Sequence, residues 1–414
     1  MKWKFTNRVS VRYVRSHAES ATAGRRATFT YFTLNGFVMG MWIVHIPMVE
    51  HRTGVSHAVL GWLLLLLGAG AFAGMRITGP LADRYSPRTV VPVSAALCCA
   101  AVVLPGLADD AWTLGGALLL LGFGNGCLDV AMNAHAVQVE RGYERPVMAA
   151  FHAMFSVGGV LAALAGARAL GWGWDPLVTL GATALLGLIV AGAAASALLP
   201  IEPALLGRDG PGRPKVRRPS GRVWGLAALA LMLMLCEGVA NDWSVLHLST
   251  VLDAPAATAA FAYGAFATAM TVGRFLTDRV SGRFGPVAVV RYGAGVAAVG
   301  LTAAALSPWV PLALAGWGVF GLGLSGCVPQ LFSAAGHSDQ GNAATNVSRV
   351  ASLGYLGMLA GPAVIGPLTH LVPLNLTFLL PVAFCVVAVA AAGTLRPRPA
   401  SPAPVRPERD RTAR

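Results

Sequence analysis

Charge is what this sequence has little of. Only 12% of its 414 residues are Asp, Glu, Lys or Arg, against 55% hydrophobic residues and a mean hydropathy of +0.63. A water-soluble domain of this length could not cover its surface from so small a polar supply, which places the chain in a bilayer. Cysteine is scarce as well. The six present (Cys98, Cys99, Cys127, Cys236, Cys327, Cys385) all fall within apolar runs, where a thiol behaves as a small hydrophobe. That excludes a disulfide scaffold and a zinc site. There is no Ser-His-Asp order, metal-ligand spacing or phosphate-binding loop. An integral-membrane enzyme using Asp129, His135 and Glu237 is therefore a distant alternative, and neither metal nor cofactor is expected.

What is there is a series of twelve apolar stretches near the roughly 20 residues that a spanning helix requires. They cover 28–49, 58–78, 89–107, 113–135, 147–169, 177–199, 223–246, 257–276, 288–306, 310–334, 347–368 and 375–395. Twelve spans put both termini on one side. Of the 31 Lys and Arg residues, 25 lie in the N-terminal segment, the loops after spans 2, 4, 6 and 8, and the C-terminal tail; Arg52 and Arg168 alone approach the opposite face. By the positive-inside rule the termini are cytoplasmic, and the expected location is the cytoplasmic (inner) membrane. The net charge of +13 then reports topology and attraction to anionic lipid, not nucleic-acid binding. The expected organisation is a basic arm (1–27), a six-helix bundle (28–199), a Pro/Gly/Arg-rich linker (200–222), a second six-helix bundle (223–395) and a disordered tail (396–414). Span 1 follows no small-residue cleavage site and is expected to be retained.

The two halves repeat. Gly79-Pro-Leu-Ala-Asp83-Arg84-Tyr-Ser-Pro-Arg88 returns 195 positions later as Gly273-Arg274-Phe-Leu-Thr-Asp278-Arg279-Val-Ser-Gly-Arg283, and Gly122-Phe-Gly-Asn-Gly126-Cys127 is echoed by Gly321-Leu-Gly-Leu-Ser-Gly326-Cys327. A repeat of this length implies two similar membrane halves. The Asp-Arg box after the second span of each half resembles the loop signature of the major facilitator superfamily of secondary transporters. The resemblance implies an all-α integral membrane fold of twelve helices in two pseudo-symmetric six-helix bundles, working by alternating access. It assigns Gly79, Asp83, Arg84, Arg88, Arg274, Asp278, Arg279 and Arg283 to gating. Asp83 is expected to pair with Arg88 and Asp278 with Arg283, with Arg76 and Arg274 near enough to join.

Polarity is distributed by helix. Spans 3, 6, 9 and 12 contain essentially no ionisable side chain apart from Arg291. Spans 1, 4, 7 and 10 hold Asn35, Trp42 and His45; Asn125, Asp129, Asn133 and His135; Glu237, Asn241 and Asp242; and Gln330. Polar groups in hydrocarbon must face protein or water, so these four helices are expected to surround an aqueous cavity. Asn125, Asp129 and Asn133 recur every fourth residue and form one stripe. A carboxylate in a span costs roughly 2.5–3.5 kcal/mol on insertion scales, and Asp129 and Glu237 are the expected proton carriers. Substrate-cavity candidates are Asn35, Trp42, His45, Asn125, Asn133, His152, Asn241 and Gln330. For His45 and His152, hydrogen-bonded packing is the competing reading.

Gly126-Cys127-Leu128-Asp129-Val-Ala-Met-Asn133 is also similar to the fourth-helix pattern of fucose:proton symporter relatives, in which a carboxylate at the place of Asp129 serves proton coupling and sugar contact. Span 1 here lacks the Asp that the symporter carries. The Gly-x-x-x-Gly-Pro motif of drug antiporters, expected in span 5, is found instead as Gly357 to Pro362 in span 11. The reading is a monomeric secondary transporter of a small organic solute, a sugar or related metabolite, coupled to protons. Proton-antiport export of drugs or metabolites is the alternative.

Overall fold

The computed structural model describes residues 3–55, 57–143, 145–200, 220–339 and 342–396, and these form an all-helical membrane protein with the twelve helices of the expected fold. The first half contains α1 (Trp3–Thr53), α2 (His57–Arg84), α3 (Pro87–Ala101), α4 (Ala111–Arg141), α5 (Met148–Gly171) and α6 (Pro176–Ala195). The second contains α7 (Gly221–Val251), α8 (Ala256–Phe284), α9 (Pro286–Leu306), α10 (Val310–Leu324, resuming as Cys327–Gly336), α11 (Ala343–Leu368) and α12 (Leu379–Ala391). Eleven of the spans meet both length and apolarity requirements for crossing a membrane. The twelfth, α8, packs where the second half needs it.

Three spans expected to be continuous are broken. Pro105, Pro329 and Pro381 lack the N–H that would bond to the carbonyl four residues earlier. The helix accordingly ends at Ala101 and resumes as the turn Leu104–Leu107; α10 is interrupted at Ser325-Gly326; and α12 is preceded by a separate turn, Leu374–Thr377. At the start of the chain the difference runs the other way. With no proline between residue 3 and the first span, the basic arm is helical and continuous with α1. The linker at 201–219 and the tail beyond residue 396 lie outside the described residues.

Packing follows the repeat. In the first half the most extensive partnerships are α1 with α5 and α2 with α4; in the second α7 pairs with α11 in the same way, while α10 packs most extensively on α9 and next on α8. Helices α3 and α6 pack together at one flank, as α9 and α12 do at the other, and they expose Leu185, Ile189, Val299 and Val386 outward. Across the halves, α2 meets α11 and α5 meets α8. Gly79 sits at the first of these crossings, where a Cβ would come within 2.6 Å of Ser348 Cβ; close helix approach in membranes depends on such small residues. On the face opposite the termini, Arg52 donates to the carbonyls of Pro105, Gly106 and Ala108, and Arg168 stacks 4.4 Å from the Trp172 ring. Both arginines stranded there by the charge count thus have structural work. In the adjoining loop, Asp110 accepts from the backbone N–H groups of Thr113 and Trp112 at the start of α4, which holds its carboxyl below the usual range.

Candidate functional site

The polar centre draws on helices from both halves. On α4, Asn133 Nδ2 donates to the Asp129 backbone carbonyl (2.9 Å) and to Asp129 Oδ1 (3.3 Å), which leaves Asn133 Oδ1 as an acceptor 3.2 Å from His152 Nε2 on α5. This order makes His152 Nε2 the donor. Asp129 Oδ2 is buried with no hydrogen-bond partner in the protein. The imidazole of His152 is held edge-on between Phe32 of α1 (5.2 Å) and Phe332 of α10 (5.8 Å), so it too lies where the halves meet.

One turn further along α5, Ser156 Oγ accepts from Arg274 Nη1 at 3.0 Å, and Arg274 Nη2 lies 3.4 Å from Glu237 Oε1 on α7. The side chains of Arg274 and Glu237 are 14% and 16% exposed. Arg274 Nε is buried without a partner. Tyr355 of α11 lies within electrostatic reach of Asp129, Glu237 and Arg274 together. Arg274, expected among the gating residues near the end of span 8, lies on the spanning helix α8, which continues through Phe284, and its guanidinium reaches the polar centre. It occupies the repeat position of Gly79, since the 195-residue offset links 79 to 274. Ser156 and Tyr355 are the contributions that a search confined to spans 1, 4, 7 and 10 passes over. A guanidinium where the sister half has a box glycine is the signal that finds the first contact.

The other cavity candidates are placed differently. Asn35 and Asn125 are buried, each with an unpartnered Oδ1. Trp42 is enclosed in the core, so its place is neither an interfacial belt nor an open surface. His45 is fully buried, with Nδ1 2.8 Å from the Met41 carbonyl and Nε2 unpartnered. Asn241 is exposed and is not drawn into the polar centre. Gln330 belongs to the closure at the terminal face: its Oε1 accepts from Ser281 Oγ (2.9 Å), and it lines a cavity of about 740 Å³ with Glu140, Arg145 and His337. His135 is a strut. Leu199 N donates to its Nε2 and Thr28 Oγ1 lies 3.0 Å from its Nδ1, which joins α1, α4 and the end of the first half through a neutral imidazole.

At the terminal face the halves are tied by the Asp-Arg boxes, though not through the expected ion pairs. Asp83 accepts from Ala344 N (2.8 Å) and Thr345 N (2.9 Å) at the start of α11; Asp278 accepts from Ala149 N (3.0 Å) and Ala150 N (2.7 Å) at the start of α5. A helix N-terminus offers unpaired N–H groups and the positive end of its dipole, so each carboxylate is satisfied without its arginine. Arg88 donates instead to the Leu198 carbonyl (2.8 Å), Arg84 lies over the Tyr85 ring and Arg283 over the Phe284 ring. Arg279 is exposed. Two more crossings join α4 to α10: Arg141 Nη2 donates to the Gly336 carbonyl (2.6 Å), and Ser333 Oγ donates to Glu140 Oε2. These ties and the Arg274–Ser156 contact all lie between the terminal face and the middle of the membrane.

Comparison with known proteins agrees with this architecture. A family model described as "Major Facilitator Superfamily" matches residues 28–348. An uncharacterised MFS-type transporter of Yersinia pestis is 36% identical over 364 residues, 87% of this chain and 92% of its own length. The uncharacterised transporter y4wD of Sinorhizobium fredii is 32% identical over 365 residues, 88% and 96% of the two chains. Among solved structures, the transporter FucP in its outward conformation superposes with a TM-score of 0.73 at 14% identity, covering 92% of this chain and all of that one.

Proposed function

The chain belongs to the Major Facilitator Superfamily, and from that premise we propose that it moves a small polar organic solute across the cytoplasmic membrane by alternating access, driven by protons carried on Asp129. The terminal face is the cytoplasmic face, and a single copy of the chain is the working unit. The observation that carries this reading is the pairing pattern of the central charges. Glu237 has Arg274 as its counter-ion, whereas Asp129 has only an amide on one oxygen and nothing on the other. An ionised carboxylate buried without a compensating cation is costly, so Asp129 is the carboxyl placed to exchange a proton as water reaches it, while Glu237 keeps its contact with Arg274. Asn133 and His152 orient it. A proton carried across the full membrane potential contributes about 2.3 kcal/mol per 100 mV.

The solute site is formed by the groups whose hydrogen-bonding capacity is unused: Asn35, Asn125, the Nε of Arg274 and the free oxygen of Asp129. Ser156, Glu237 and Tyr355 complete its walls. FucP is a fucose:proton symporter, and with the fourth-helix motif its likeness supports a neutral polyhydroxylated solute and symport. Proton-antiport export uses the same carboxyl in the opposite sense, and direction is what uptake measurements decide. The test is accumulation and counterflow in proteoliposomes with an imposed pH gradient, using a solute first found by thermal stabilisation. In Asp129→Asn, gradient-driven accumulation disappears and exchange of labelled solute persists. Accumulation equal to wild type in that variant refutes the assignment.

A further inference from the structure

We propose that a groove on the outer surface of the second half, formed by α8, α9 and α10, is a site for one anionic phospholipid of the cytoplasmic leaflet. The proposal rests on the reading that the terminal face is cytoplasmic. The cavity measures about 520 Å³ and is lined by residues including Leu276, Val280, Phe284, Tyr292, Val296 and Leu322. All six are exposed in the folded protein, Tyr292 to 72%. The lining on α8 runs from Phe284 at the membrane boundary to Leu276, eight residues or about 12 Å deeper, which suits the upper part of an acyl chain. The floor includes Ser325 and Gly326, where α10 is interrupted and leaves room beside the helices.

The rim of this groove carries Arg283. Asp278 spends both carboxylate oxygens on the start of α5, and Arg283 consequently has no carboxylate partner among the described residues and lies over Phe284 at the rim. Arg279 is likewise exposed one turn before it. Helix α9 opens beside them at Gly285-Pro286 with no side-chain cap, so its first N–H groups and the positive end of its dipole face the same boundary. The Arg283 guanidinium at the rim, with Arg279 exposed one turn away on the same helix, an uncapped helix start and an apolar trough below match a phosphate headgroup with its chain attached. A zwitterionic lipid fills the trough equally well but gains less at the mouth, so the site discriminates by headgroup charge. The same groove touches Gly273, next to Arg274, and the break in α10; an occupying lipid therefore braces the helices that carry the central arginine.

Native mass spectrometry of the full-length protein, released from nanodiscs of mixed phosphatidylglycerol and phosphatidylcholine, tests this. Wild type is expected to retain one phosphatidylglycerol in preference to phosphatidylcholine. Arg279→Gln/Arg283→Gln is expected to keep a bound lipid while losing the preference, each arginine being worth about fivefold. Ala288→Phe, which fills the trough without touching the arginines, is expected to lose the lipid whatever its headgroup, and its thermal unfolding checks that the fold survives. Equal retention of both lipids by wild type overturns the proposal. So does an unchanged preference in the double variant, a lipid retained by Ala288→Phe, displacement of the lipid by inorganic phosphate alone, or a lipid-free dimer occupying this face. Because none of these readouts involves solute transport, failure here is separable from failure of the proton-coupling scheme.

Discussion

Asp83 and Asp278 perform one task in opposite halves: each closes the end of its own helix against the first turn of a helix in the other half. The 195 residues between them also separate Ala344 from Ala149 and Thr345 from Ala150, so the accepting carboxylate and the donating N–H groups are both copied by the repeat. The two caps are therefore a symmetric pair of fasteners on the terminal face. A conformation open to that face must release both.

Replacing either aspartate with asparagine removes the charge and one of two acceptors. Hydrogen bonds to a charged group contribute about 1.5–3 kcal/mol, so each of Asp83→Asn and Asp278→Asn is expected to shift the balance toward the open terminal face by about 2 kcal/mol, roughly thirtyfold. Spin-label distances between exposed positions 85 and 284, one in each half, report the shift. Their distribution should lengthen in both variants and further in the double variant; an unchanged distribution rejects the fastener role.

Gly79 yields a steric counterpart. Its absent Cβ is what lets α2 approach Ser348 and Thr345 of α11, since a methyl there would lie 2.6 Å from Ser348 Cβ and 3.2 Å from Thr345 Cα. Gly79→Ala is expected to hold the two helices apart and bias the same label pair toward separation with Asp83 intact. Gly79→Ala/Ser348→Gly should recover the wild-type distances. A wild-type distribution in the single variant would mean that the contact yields at no cost.

Much of this fold was legible in the sequence and the site much less so, for a physical reason. Span number and the two-bundle division depend on local runs of apolar residues and on a repeat, which reading along the chain reveals. The breaks before Pro105, Pro329 and Pro381 were also available, because a missing N–H acts on the carbonyl four residues back. The caps were not: Asp83 and its N–H partners lie 261 and 262 residues apart, and nothing in the box says that its acid seeks a helix end instead of the nearby Arg88. Arg274 was grouped with the Asp-Arg box because it lies next to Gly273 at its start, and nothing in the sequence shows that its partners are Glu237, 37 residues before it, and Ser156, 118 residues before it. Ser156 and Tyr355 went unassigned because single hydroxyls on α5 and α11 have no signal until a partner is seen opposite them.

The Glu237–Arg274 pair separates stability from coupling. Removing one partner of a buried pair leaves an uncompensated charge and costs about 3–5 kcal/mol. With both side chains slightly exposed, the lower end of that range applies. Arg274→Gln is thus expected to lower the thermal unfolding midpoint markedly, and Glu237→Gln/Arg274→Gln to regain most of it. The double variant should still fail to accumulate solute, because the tie from Ser156 across the halves to α7 is lost. If Arg274→Gln unfolds with the wild-type midpoint, the pair is not an energetic unit.

The terminal face is not fully symmetric, and Glu140 is where the halves differ. Its Oε1 accepts from Val147 N (3.1 Å) and Met148 N (3.2 Å), its Oε2 accepts from Ser333 Oγ of the other half, and His337 Nδ1 stands 4.0 Å away. The start of α5 is thereby held by two carboxylates, Glu140 from its own half and Asp278 from the other. Opening must release the Glu140–Ser333 crossing as well as the Asp278 cap, while the bonds of Glu140 to Val147 and Met148 stay within the first half. Glu140→Gln is expected to separate the halves more than Ser333→Ala, because it weakens the cap and the crossing together. A double-mutant cycle of the two should show coupling of about 1–2 kcal/mol, within the range for directly bonded residues. Strict additivity in label distances and unfolding midpoints would show that Glu140 serves its own helix alone, and that the inter-half closure rests on Asp83, Asp278 and Arg141.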